Sequence, residues 1–171
     1  PAPVGYTNTE LFNGSTWTAN PTGLPTNRRG SGSAGTQTSA LCFGGASYPA
    51  PATTVATTDS FNGSTWTAGG NMNTTRNGLS GAGASSTSAV AFGAQAVPSG
   101  PTGPAATELW NGTSWTTNPT GLTTARAATK GAGTQTAGLA FFGQPFPAPT
   151  GTATEEWTGP GVGSTKTVTV T

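Results

Sequence analysis

The segment Thr9-Glu10-Leu11-Phe12-Asn13-Gly14-Ser15-Thr16-Trp17-Thr18 returns as Thr58-Asp59-Ser60-Phe61-Asn62-Gly63-Ser64-Thr65-Trp66-Thr67 and again as Thr107-Glu108-Leu109-Trp110-Asn111-Gly112-Thr113-Ser114-Trp115-Thr116. The aromatics Phe12, Phe61 and Trp110 stand 49 residues apart, and a degraded copy, Thr154-Glu155-Glu156-Trp157-Thr158-Gly159, follows 47 residues later. Such a chain is a series of like supersecondary units, none of which buries its apolar face alone.

Between these copies runs a second block in register. Thr36-Gln37-Thr38-Ser39-Ala40-Leu41-Cys42-Phe43-Gly44-Gly45 is matched by Ser88-Ala89-Val90-Ala91-Phe92-Gly93-Ala94 and by Thr134-Gln135-Thr136-Ala137-Gly138-Leu139-Ala140-Phe141-Phe142-Gly143. Each period therefore reads as four short strands. Strand a is a Gly/Ala-rich run (Gly30–Gly35, Leu79–Ala84, Ala127–Gly133). Strand b is the apolar run closing on Phe. Strand c carries an acid and an aromatic, and strand d carries the Trp. Asn-Gly between strands c and d is the strongest short hairpin signal, and it predicts a tight turn with both residues at positive φ. Small residues in strand a fit an innermost strand crowded against its neighbours around a common axis. The recurrence of Pro and Gly argues against any long helix.

An apolar run closing on Gly-Gly, an aromatic and a Trp a few residues on, and an Arg before the next inner strand resemble kelch repeats, over nearly the whole chain. The resemblance implies an all-β chain of kelch-like β-propeller blades, each a four-stranded antiparallel sheet. Only Phe43-Gly44-Gly45 keeps the double glycine; Phe92-Gly93-Ala94 and Phe141-Phe142-Gly143 do not. These departures are similar to the degenerate Thr/Gly-rich repeats of marine bacteriophage structural proteins. The expected organisation is a single repeat domain of about 3.5 blades. It comprises a half-blade over 1–19, blades over 20–68 and 69–117, and a terminal blade over 118–171. The half-blade lacks strands a and b. Alternating Lys166-Thr167-Val168-Thr169-Val170-Thr171 is expected to be strand d of the last blade or to extend a partner's sheet.

Composition narrows the function. Only 6% of residues are charged, the net charge is +1 and there is no histidine. Six scattered Lys and Arg cannot neutralise a phosphate backbone, so no nucleic-acid binding is expected. No apolar run nears the ~20 residues of a membrane-spanning helix, so no membrane insertion is expected. Glycine (27) and proline (14) approach levels associated with disorder, but five Trp and seven Phe at fixed intervals argue for a packed fold. Cys42, within Ala40-Leu41-Cys42-Phe43, reads as a small buried hydrophobe. The chain opens at Pro1 without Met, which suggests processing, trimming or a longer parent polypeptide.

Without histidine the commonest general base and metal ligand are gone, and Ser-His-Asp or Cys-His chemistry is impossible. Four of the five acids, Glu10, Asp59, Glu108 and Glu155, share one strand-c position. Such positions are spread over separate blades rather than held within the ~5–9.5 Å of a glycosidase pair. Arg28, Arg76 and Arg126 recur in their own register. One acid and one arginine per blade suggest a repeated ion pair, or an arginine-to-carbonyl clasp, between strand c and the residues leading into strand a. Trp17, Trp66 and Trp115 read as core between blades, each able to bury ~150–250 Å², with carbohydrate stacking as the alternative. The Pro/Gly-rich b–c loops carry Tyr48 and Phe146, the candidate contacts to a ligand or partner.

The expected function is therefore non-enzymatic, with no cofactor and no metal. It is that of an extracellular or virion structural protein, a fibre or filament subunit or an adhesin, partnered by copies of itself or by other structural proteins. A lectin-like propeller binding a surface glycan is the alternative, and a fragment of a larger kelch enzyme of the oxidase type is the third reading.

Overall fold

The computed structural model describes residues 7–47, 53–94, 105–145 and 154–159, and every described element is a β-strand or a turn. The first repeat is a hairpin of β1 (Thr9–Phe12) and β2 (Trp17–Asn20). The second contains a short β3 (Arg28–Arg29), then β4 (Gly32–Thr36), β5 (Ser39–Phe43), β6 (Ala46–Ser47), β7 (Thr58–Phe61) and β8 (Trp66–Ala68). The third is β9 (Ser80–Ser85), β10 (Ser88–Phe92), β11 (Thr107–Trp110) and β12 (Trp115–Asn118). The fourth is β13 (Arg126–Ala127), β14 (Lys130–Gly133), β15 (Gly138–Phe141), β16 (Gln144–Pro145) and β17 (Glu155–Trp157). Strands β4-β5-β7-β8 and β9-β10-β11-β12 form two four-stranded antiparallel sheets joined in chain order, and β14-β15-β17 forms a three-stranded one. The segment 166–171, expected as a further strand, lies outside the described residues.

The a–d reading is refined in two places. Strands β4, β9 and β14 start later than the glycine-rich runs do, because Gly30, Gly78 and Ala128 take positive φ (64°, 62° and 53°) and break the extended chain ahead of them. The residues before two of these breaks form separate two-residue ribbons, β3 with β6 and β13 with β16, which the sequence does not announce. The Asn-Gly hairpins also differ from expectation. Phe12 pairs with Trp17, Phe61 with Trp66 and Trp110 with Trp115, so each connection is a four-residue loop. Only the glycine is at positive φ (96–98° at Gly14, Gly63 and Gly112). The asparagine need not be, because its Oδ1 accepts two backbone N–H bonds: from Ser15 and Thr16 to Asn13, from Ser64 and Thr65 to Asn62, and from Thr113 and Ser114 to Asn111. That side-chain turn supplies the geometry a type I′ backbone would otherwise provide.

The core lies between repeats rather than within one. Leu41 and Phe43 of the second repeat cluster with Leu79, Ala89, Ala91, Trp110 and Trp115 of the third. Val90 and Phe92 of the third cluster with Ala140 of the fourth, with Trp157 packed alongside. Each phenylalanine meets a glycine on the next repeat's first strand. A Cβ on Gly81 would lie 2.5 Å from Phe43 Cζ, and one on Gly131 would lie 2.6 Å from Phe92 Cζ and collide with the Gly81 carbonyl. Small residues on β4, β9 and β14 are thus a condition of repeat-to-repeat approach. Cys42, on the opposite face of β5 from Leu41 and Phe43, is a buried free thiol.

Gly131→Ala is expected to cost about 1–3 kcal/mol, the usual penalty for overpacking a close contact, and Ser33→Ala less than about 0.5 kcal/mol, as for a surface change. Urea denaturation followed by tryptophan fluorescence measures both.

Candidate functional site

Each complete joint within a repeat is closed by one arginine and one acid. Arg28 Nη2 lies 2.6 Å from Asp59 Oδ2, Arg76 Nη2 lies 2.7 Å from Glu108 Oε1, and Arg126 pairs with Glu155. Both features of the sequence reading occur together, because each guanidinium also donates to backbone carbonyls. Arg28 reaches Cys42 O (3.1 Å), Arg76 reaches Ala106 O (2.7 Å) and Gly93 O (3.4 Å), and Arg126 reaches Phe142 O (3.4 Å). Two of the acids in turn fix the segment before their arginine. Glu108 accepts from Asn73 N–H and the Thr74 hydroxyl at 2.8 Å, and Glu155 accepts from Thr123 N–H at 2.6 Å.

These pairs are buried: Arg76 and Arg126 are each 2% exposed and Glu108 is 1% exposed. Burial pushes the Arg76 guanidinium below its ordinary value, while the charge and hydrogen bond of Glu108 oppose the shift. Among the described residues the Nε atoms of Arg28 and Arg76 have no acceptor. A buried ion pair so arranged fixes geometry more than it adds stability, yet removing one partner strands the other charge. Glu10 belongs to the same repeat position but is exposed, and it has no ion pair among the described residues. All three paired carboxylates are engaged by arginine. Among the described residues no group of three or more His, Cys, Asp or Glu is placed to hold a metal ion.

The tryptophans divide into three environments. Trp115 is buried, Trp66 half-buried and Trp17 66% exposed. The reading of all three as core is therefore corrected for Trp17, because the partner surface lies on the preceding repeat. Trp66 Nε1 donates to Thr9 Oγ1 and Trp115 Nε1 to Thr58 Oγ1, both at 2.8 Å and both across 57 residues. Trp115 also packs edge-on against Phe43 of the preceding repeat (5.0 Å) and beside Trp110 of its own (5.3 Å). No described repeat precedes Trp17, which keeps only its own-repeat neighbour, Phe12, at 5.1 Å.

Gln37 donates to Phe12 O (2.6 Å) and Gln135 to Trp110 O (2.6 Å), tying the second and fourth repeats to the ones before them. The threonine and glutamine partners were missed in the sequence. Their signal was the constant offset between repeats, 57 residues for Trp–Thr and 25 for Gln–carbonyl.

The described surface holds several concavities. An open groove of about 480 Å³ runs along the first strands of three repeats, lined by Ser33–Gln37, Gly81–Gly83 and Gly131–Gly133, with no charged side chain. A smaller cavity of about 110 Å³ sits between the third and fourth repeats and includes Phe92, Thr107 and Trp157. These are the repeat counterparts of Phe43, Thr58 and Trp110, the residues that hold Trp115 one joint earlier. Tyr48 and Phe146, the loop candidates, lie outside the described residues.

No protein-family model matches the chain, and comparison with curated proteins finds no match.

Two outcomes test the joint. Arg76→Met is expected to destabilise by about 3–5 kcal/mol by stranding Glu108, and adding Glu108→Leu to recover most of that loss. Trp115→Phe is expected to cost about 1 kcal/mol for the lost bond to Thr58, whereas Trp17→Phe leaves stability unchanged. Denaturation midpoints of the four variants decide both.

Proposed function

We propose that the chain is a non-enzymatic structural protein, extracellular or part of a virion, whose repeats are kelch-like β-propeller blades and which works by assembling with copies of itself or with other structural proteins. The observation that carries this reading is the contrast between joints and ends. Phe43 and Phe92 at the joints are 0% and 3% exposed, whereas Trp17 at one end and Phe142 at the other are 66% and 65% exposed. Exposed aromatics at both ends of a repeat array are surfaces that want a neighbour. The chemistry of the interior supports the same reading: the paired acids are held by arginines, and the central groove is lined by Gly, Ala, Ser, Thr and Gln.

A second reading has one observation in its favour. Trp17 with Phe12 forms an exposed aromatic platform of the kind on which a sugar ring stacks. Under this reading the chain is a lectin-like blade array that takes a surface glycan.

A glycan array probed with the native protein, together with electron microscopy of the native material, separates the two. The structural reading expects a regular particle or fibre and no specific glycan signal. A specific glycan signal that disappears with Trp17→Ala, on material that shows no regular assembly, overturns it in favour of the lectin.

A further inference from the structure

Each repeat presents one sheet face to the repeat that follows. On the second repeat this face shows Leu41 and Phe43, which are 1% and 0% exposed, and on the third it shows Val90 and Phe92, at 0% and 3%. The fourth repeat builds the same face from Leu139 and Phe141, and there both are only half-buried because no described repeat covers them. One contact that covers such a face is seen at the joint between the second and third repeats, where Trp115 packs against Phe43 and donates its indole N–H to Thr58 at the head of strand c. On the fourth repeat the corresponding residues are Phe141 and Thr154. At the opposite end, Trp17 is a tryptophan of this class already braced by its own-repeat aromatic, at 5.1 Å from Phe12 against 5.3 Å for Trp110 and Trp115. It lacks the phenylalanine and threonine that the fourth repeat leaves uncovered.

A further difference selects this partner over another full repeat. Gly44 and Gly93 follow the face phenylalanine at φ 62° and 65°. A Cβ at either would stand 2.8 or 2.9 Å from the backbone carbonyl of the next repeat's arginine, Arg76 or Arg126. The fourth repeat holds Phe142 at this position, at φ 59° and 65% exposed. An aromatic there is incompatible with the arginine segment of an ordinary following repeat. Among the described residues the β1–β2 hairpin carries no such segment, Arg28 belonging to the second repeat. Phe142 thus disfavours an arginine segment on this face, an obstacle that the hairpin as described does not meet.

We propose that Trp17 of one copy inserts against Phe141 and Thr154 of a second copy, joining chains head to tail. This rests on the assembly reading above and names its partner and its joint. The two surfaces are different patches, so the contact is heterologous and generates a ring or an open filament according to whether the rotation closes.

Analytical ultracentrifugation of the native chain and of Trp17→Ala and Leu139→Lys variants tests it, with circular dichroism as the check that each variant keeps its strand content. The native chain is expected to grow in mass with concentration, and each variant alone to associate at least tenfold more weakly. Mixed, the two are expected to give a one-to-one complex that grows no further, because Trp17 of the Leu139→Lys copy meets the intact face of the Trp17→Ala copy. A variant that had merely lost its fold would not be rescued by mixing. Thr154→Val is expected to weaken the native association by a smaller factor. A native chain that stays monomeric overturns the joint. Native assembly that is indifferent to both substitutions, or variants that fail to complement, also overturn it while leaving the assembly reading intact.

Discussion

At each joint a phenylalanine at the end of one repeat's second strand meets a glycine on the next repeat's first strand, Phe43 over Gly81 and Phe92 over Gly131. The distance between repeats is set there, and everything farther from the groove inherits it. Because the first strands lie close, Trp115 on the outermost strand can span to Thr58 of the repeat before, and Gln135 can reach the carbonyl of Trp110. A methyl group on Gly81 would lengthen the Trp115–Thr58 bond at its own joint, and one on Gly131 the Gln135–Trp110 bond at the next. The apolar area that stabilises the fold is therefore buried between sheets, and the array is held by nearest-neighbour contacts in the manner of a one-dimensional repeat protein.

The arginine–carboxylate clasp solves a different problem. A chain with so few charges gains solubility from hydroxyls and amides, and many alternative pairings of its Thr-, Ser- and Gly-rich strands are nearly equal in energy. A buried guanidinium admits only one arrangement in which its charge is matched and its donors reach carbonyls. Arg76, for example, must face Glu108, Ala106 O and Gly93 O at once. A strand slip by one residue would turn Glu108 to the opposite face and leave two buried charges unpaired. The clasp thus fixes register within a repeat, while the phenylalanine–glycine contact fixes spacing between repeats.

The repetition itself was legible from the sequence, and so were most strands, because aromatics and Asn-Gly recur at a fixed period. The acid and arginine could be matched because each occurs once per repeat in an almost uncharged chain. Three things were not legible. The hairpin conformation turned on the Asn13 side chain accepting two backbone bonds, which the dipeptide Asn-Gly does not distinguish from a type I′ turn. The strand starts turned on residues at positive φ, one of which is an alanine, Ala128. The burial of each tryptophan turned on the preceding repeat. Trp17 and Trp115 sit in near-identical phrases, yet one is exposed and the other is core, since a motif states what a residue offers and not what lies opposite it.

The repeat register gives the ends of the array their meaning. Within the array every position has a counterpart that shows what normally covers it, so an uncovered residue can be compared with its covered equivalents. By that comparison, among the described residues, Trp17 is a rivet without its socket, and Phe141 with Thr154 is a socket without its rivet. Phe142 is the one residue that breaks the pattern in the described face, replacing a glycine where the next arginine segment would pass. An aromatic held at positive φ is unfavourable on conformational grounds, and Phe142, 65% exposed, packs edge-on against the neighbouring Phe141 at 5.5 Å. A position so disfavoured by backbone and solvent alike is better explained by what it keeps out than by what it holds in.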